Sequence, residues 1–141
     1  MPMKRWIALA AVLVLMVCAL YPEAGFTEDK NTVLLARAIY ALCRDEGYDA
    51  KLAVATVVMN RVENPWFADT IDGVLNEQHQ FPIGSRYDDQ SLSAAHAALA
   101  GRRNLDASAV YYQSADATRR RTDRPVKTVG GLSFYATEYK D

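Results

Sequence analysis

The sequence has little cysteine, little histidine and no excess of either charge. Its two cysteines are Cys18 and Cys43. Cys18 falls in an apolar leader, which leaves one thiol in the rest of the chain, and one thiol closes no internal disulfide. The cysteines therefore say nothing for or against an oxidising compartment. His79 and His96 are the only histidines. No Cys/His/Asp cluster has metal-ligand spacing, so neither a metal site nor a cofactor is predicted. The formal net charge is −1. That balance, together with the lack of a stacked aromatic pattern, argues against nucleic acid as a partner. Half of the residues are hydrophobic, which excludes a disordered chain. Internal repeats and low-complexity segments are absent.

At 141 residues the chain is one domain's worth. Lys4 and Arg5 precede an apolar run from Trp6 to about Tyr21. A short basic start before such a run reads as an export signal. The run is shorter than the roughly 20 residues that comfortably span a bilayer. Cleavage after Ala19 fits Val17-Cys18-Ala19. An uncleaved signal anchor is the alternative, because Pro22 and Glu23 give no clean cleavage site and would leave the chain attached to a membrane. Cys18 also raises a lipoprotein reading, although Val17 before it is bulky for such a site. A buried N-terminal helix fits the basic start poorly. In domain terms the leader occupies 1–25, a polar linker 26–32 and the folded domain 33–141. About 115 residues remain after the leader, enough to bury one core.

The stretch from Leu35 to Val62 is the centre of the chain. Leu35, Ile39, Leu42 and Cys43 fall on one helical face. Asn31 or Thr32 can cap this helix, which should run to about Asp45. Gly47 breaks the pattern, and Asp49 can cap a second helix to Val62. From Leu52 to Met59 almost every residue is apolar, so this helix should be buried. Asn64-Pro65 stops it. Asp69 or Thr70 caps a short helix to about Glu77. Gln78 to Tyr87 reads as an ordered surface loop. Asp88 or Asp89 caps an alanine-rich helix from about Gln90 to Ala100.

The final third changes character. Ala109 to Tyr112 suits a strand. Val126–Val129 and Leu132–Ala136 flank Gly130-Gly131, a two-residue hairpin signal if both glycines take positive φ. Helices first and a small antiparallel sheet afterwards predict an α+β domain.

The central stretch resembles the cell-wall hydrolase family that includes the spore cortex-lytic enzymes. Arg37, Tyr40, Ala41, Arg44, Glu46, Tyr48, Ala53, Val54, Ala55, Val57, Val58, Asn60, Arg61 and Val62 fit that family's pattern without a gap. The resemblance covers about residues 33 to 136. It implies a mainly helical fold with a lysozyme-like groove, peptidoglycan glycan strands as substrate, and a place in the cell envelope or outside it. It also implies glycan cleavage by a lytic-transglycosylase route. There one carboxyl protonates the leaving oxygen and then acts as base, while the sugar's own hydroxyl attacks.

Two departures stand out. The family's first glutamate, its usual acid, is Leu42 here, and a family histidine is Leu132. Leucine cannot transfer a proton, a service worth roughly a hundred- to ten-thousand-fold in rate. Glu46 is the natural substitute. On a regular helix it would share a face with position 42, roughly 6 Å away. Gln80-Phe81 matches the family's groove loop, with His79 in place of glycine and Pro82 in place of serine. Glu46 is thus the catalytic candidate, one turn away and able to serve the same bond only if the glycan shifts; the competing reading is the structural or groove-shaping role that the resemblance implies for it. Gln80, Phe81, Tyr40, Tyr112 and Tyr135 are the candidate substrate contacts. For Tyr111 and Tyr112, strand alternation sends one ring inward and one outward.

Other readings compete with an active enzyme: a catalytically inactive relative that binds peptidoglycan and modulates an active one, or a membrane-tethered assembly protein. Cys43 beside Arg44 suggests a reactive thiol, against the blander reading of a small buried hydrophobe. His96 reads as a packed or half-exposed histidine. Arg119, Arg120, Arg121, Arg124 and Lys127 read as a solvated basic face, or as a grip on an anionic wall polymer.

Overall fold

The computed structural model describes residues 28–118 and 121–138. The leader, most of the linker, and Arg119 and Arg120 lie outside the described residues. The α+β architecture expected from the sequence is the one observed. Among the described residues, four helices, α1 (Lys30–Cys43), α2 (Tyr48–Glu63), α3 (Ile71–Leu75) and α4 (Asp89–Leu99), precede a three-stranded sheet. Its strands are β1 (Tyr111–Ser114), β2 (Lys127–Val129) and β3 (Leu132–Tyr135). The order is β1-β3-β2, with both pairings antiparallel.

Helix α2 is the core. Leu52 to Val58 is buried without interruption. Val54, Val57 and Val58 are fully enclosed, each worth roughly 1.5–3 kcal/mol of burial. Helices α1, α3 and α4 pack around it, and Leu35, Ile39, Val74, Ala94, Ala95 and Ala98 complete the core. The alanines of α4 let that helix approach closely.

Several boundaries differ from expectation, each for a local reason. Helix α1 begins at Lys30, inside the expected linker, because the Asp29 side chain accepts from the Asn31 amide and caps it. The helix ends at Cys43, not Asp45. Gly47 occupies the α2 cap without a side-chain bond, and Asp49 lies in the first turn instead. Thr70 and Asp88 cap α3 and α4 as the sequence suggests, accepting from Gly73 and Ser91. Asn64 is extended before Pro65 and closes α2.

The hairpin forms where the glycine pair placed it, with Val129 opposite Leu132. Of this pair, Gly130 alone takes positive φ, at +58°.

Candidate functional site

The site grows from the turn between α1 and α2. Leu42 and Glu46 both line a cleft of about 600 Å³, together with Ser114, Asp116 and Gly131 from the sheet end of the chain. The two are not on one continuous helical face. The helix stops at Cys43, and the Glu46 amide donates back to the Cys43 carbonyl at 3.0 Å in a turn. The one-turn spacing expected of a regular helix is therefore corrected. Buried Lys51 fastens the turn by donating from Nζ to the Glu46 carbonyl at 2.6 Å.

The Glu46 carboxylate is engaged. Its Oε1 accepts from the Gly131 amide at 3.0 Å. A Cβ at Gly130 or Gly131 would run into that carboxylate. The glycine pair thus serves two needs at once, the hairpin turn and the close approach of an acidic side chain.

A second cleft, of about 330 Å³, adjoins the first and shares Ser114 with it. Arg61, His79, Gln80, Tyr111 and Tyr112 are in its lining. Arg61 organises this end. Only 1% exposed, it donates from Nε to the Val110 carbonyl at 2.7 Å and from Nη1 to Gln80 Oε1 at 3.1 Å. Its guanidinium lies 4.8 Å from the Phe67 ring, 5.0 Å from Phe81 and 5.3 Å from Tyr111, a cation–π cage. Burial lowers its pKa from the usual value, yet a guanidinium remains charged in proteins. It fixes the orientation of the Gln80 carboxamide. Tyr112 fixes the backbone there, donating to the Gln80 carbonyl at 2.5 Å. Burial pushes the Tyr112 phenol up to about 12, so it stays a donor.

The remaining sequence-nominated residues divide. Tyr40 lines a further cleft of about 270 Å³ with Gly84 and Arg86, and Ala41 and Arg44 join that cleft to the one at Leu42. Phe81 and Tyr135 are corrected to interior positions, 9% and 5% exposed. Phe81 packs 5.3 Å from the Tyr112 ring, and Tyr135 lies under the Arg121 guanidinium at 4.0 Å. A sugar would meet little of either ring. Tyr111 and Tyr112 do not split into one buried and one exposed ring. Both are half-buried, and both line the Gln80 cleft.

Leu132 is buried in the core. The Cys43 thiol is buried, reaches the Ala50 carbonyl at 3.8 Å, and is pushed up to about 12 chiefly by burial. That makes it the inert hydrophobe and not a nucleophile. Arg121 is not part of a solvated face. Its side chain is paired with Asp123 and donates to the Thr137 carbonyl at 2.5 Å. The Lys127 ammonium donates to the Asn104 carbonyl. His96 is half-exposed, with Nε2 3.0 Å from Glu28.

Sequence reasoning assigned no role to Arg61, Ser114, Asp116 or Trp66. The Asn60-Arg61 pair carried a signal, since it fits the family pattern. Asn60 donates to the Asp106 and Ala109 carbonyls at 2.9 and 3.0 Å. Together the pair anchors the segment entering β1 to helix α2.

Among known proteins, the Cell Wall Hydrolase family model matches residues 45–135, starting just after Leu42. The spore cortex-lytic enzyme of Halalkalibacterium halodurans is 35% identical over 98 residues, which are 66% of this chain and 29% of that protein. The spore cortex-lytic enzyme of Bacillus subtilis is 34% identical over 97 residues, 65% of this chain and 32% of that one. The chain thus spans about a third of the length of these curated relatives. In three dimensions it is similar to the catalytic domain of the Bacillus cereus SleB protein, with a TM-score of 0.67 and 28% identity over 78% of this chain and 93% of that domain. The same TM-score relates it to the catalytic domain of the germination-specific lytic transglycosylase SleB from Bacillus anthracis, at 26% identity over 82% of this chain and 99% of that one. By its sequence match and its fold, the chain belongs to the Cell Wall Hydrolase family.

Proposed function

We propose that this domain acts on the glycan strands of peptidoglycan in the cell envelope, by a lytic-transglycosylase-like cleavage slowed by the loss of the usual acid. The observation that carries this reading is the placement of Leu42. It lines an open cleft together with Glu46, and that cleft neighbours the Gln80 cleft at Ser114. On this reading an aliphatic side chain stands where the resemblance implies a proton donor.

Of the two carboxyls this turn brings to the cleft, Asp45 and Glu46, Glu46 is the one assigned the acid–base work, since it is the one braced against the hairpin. Cleavage requires a carboxylic acid to protonate the glycosidic oxygen as the sugar develops oxocarbenium character. The same group, now a carboxylate, takes the proton from the attacking sugar hydroxyl and yields an anhydro end. Gln80, with its carboxamide held by Arg61, and Tyr40 and Tyr112 are the polar groups assigned to the strand. The N-terminal leader carries the domain across the membrane and is either removed or kept as an anchor.

The test is digestion of purified sacculi and spore cortex by the purified chain. Release of muropeptides, anhydro forms among them, supports the reading, and Glu46→Gln should stop it. Retention of sacculi without release would make the chain a peptidoglycan-binding relative. No retention at all would overturn the reading.

A further inference from the structure

We propose that Trp66 forms an outer sugar-stacking subsite of the cleft, beyond Gln80. This rests on the reading above, that the occupant is a glycan strand. Trp66 is 89% exposed, an unusual state for the largest apolar side chain. Its neighbour Phe67 is turned the other way, packed edge-on to Tyr111 with ring centroids 5.9 Å apart and held against the Arg61 guanidinium. The loop is fixed as well as anchored, because the Trp66 amide donates to Asn64 Oδ1 at 2.9 Å. The indole is therefore presented on a braced loop.

What it is presented to is a cleft of about 340 Å³, walled by Trp66, Phe67, Glu77, Gln80, Tyr111 and Glu138. Gln80, Tyr111 and Glu138 also wall the Gln80 cleft. That cleft in turn meets the Leu42 cleft at Ser114. Shared lining residues thus make the three clefts neighbours, from Leu42 at one end to the indole at the other. The chemistry at the outer end is an aromatic face beside carboxylate and carboxamide acceptors. This suits a pyranose ring, which offers an apolar C–H face to the indole and hydroxyls at its edge to Glu77, Gln80 and Glu138. An aromatic ring with a polar rim is a common anchor for such amphipathic ligands.

The experiment is calorimetric titration of the whole chain with peptide-free peptidoglycan glycan strands of graded length. The unaltered chain should gain affinity as the strand becomes long enough to reach past Gln80 to Trp66. Trp66→Ala should lose that gain, weakening long strands on the order of tenfold while leaving the urea midpoint in place. Trp66→Tyr, which keeps a ring, should restore most of it. Wild-type length dependence in Trp66→Ala, or an equal loss in Trp66→Tyr, would overturn the subsite while leaving the proposed function standing. Failure of the underlying reading looks different, since the unaltered chain would then bind no strand of any length.

Discussion

Glu46 and Gly131 are 85 residues apart in sequence, and the carboxylate of one accepts the amide proton of the other at 3.0 Å. This single bond ties the α1–α2 turn to the β2–β3 hairpin, and it gives Glu46 two separable duties. Glu46→Gln keeps an oxygen that can accept from Gly131 and should cost under about 1 kcal/mol of stability. Glu46→Ala removes the acceptor and leaves the Gly131 amide without it, which should cost about 1–3 kcal/mol. Urea unfolding separates the two variants, while both should lack muropeptide release. A Gln variant as unstable as the Ala variant would show that charge, and not the hydrogen bond, braces the turn.

Leu42→Glu places a carboxyl in the cleft wall. If the furrow is competent and lacks only its donor, sacculus turbidity should fall at least tenfold faster, within the hundred- to ten-thousand-fold range of a positioned acid. No gain would mean that position 42 is not where the bond lies.

His79 adopts φ +61°, left-handed backbone that costs an L-residue roughly 1–2 kcal/mol. The resemblance puts glycine at this position. His79→Gly should raise stability by about 1 kcal/mol, read as a higher urea midpoint with an unchanged slope.

The alkaline limb of stability should be steep. Burial holds the Cys43 thiol and the Tyr112 phenol at about 12, against ordinary values of 9.0 and 10.0. Both native values are raised, so the unfolded chain releases these protons first. Their contribution is fully present below pH 9 and is lost progressively from pH 9 to about 12. Each group can supply a slope of up to about 1.4 kcal/mol per pH unit within that window. Cys43→Ala should flatten the decline above pH 9, though it lowers stability at neutral pH through the cavity it leaves. In a Cys18→Ser background, a thiol reagent should label Cys43 only on unfolding.

Legibility from sequence followed the range of the interactions. Helix α2 was readable because its burial is written in its own residues, and the hairpin because Gly130-Gly131 is a local signal. The start of β1 was not readable. Ala109 and Val110 look like strand, but their carbonyls are taken by Asn60 and Arg61 from α2, so the strand begins at Tyr111. No local pattern announces a partner some 49 positions away. Phe81 and Tyr135 were nominated as sugar contacts by their place in a motif. Whether a ring faces solvent or core depends on elements far off in the chain, here on Tyr112 and Arg121. Arg121 itself was hidden among neighbouring cations, and only the fold shows its pairing with Asp123. Leu42 was singled out by the resemblance alone, and the fold places it in the lining of a cleft.

The tie between Glu46 and the hairpin has a mechanical meaning. A cleft whose lining turn and hairpin are stitched together is braced against shutting like jaws. On the function proposed above, its width is set when the protein folds, so a bound strand would do the bending. A chain threaded along such a fixed trough would be gripped by its length and not by closure.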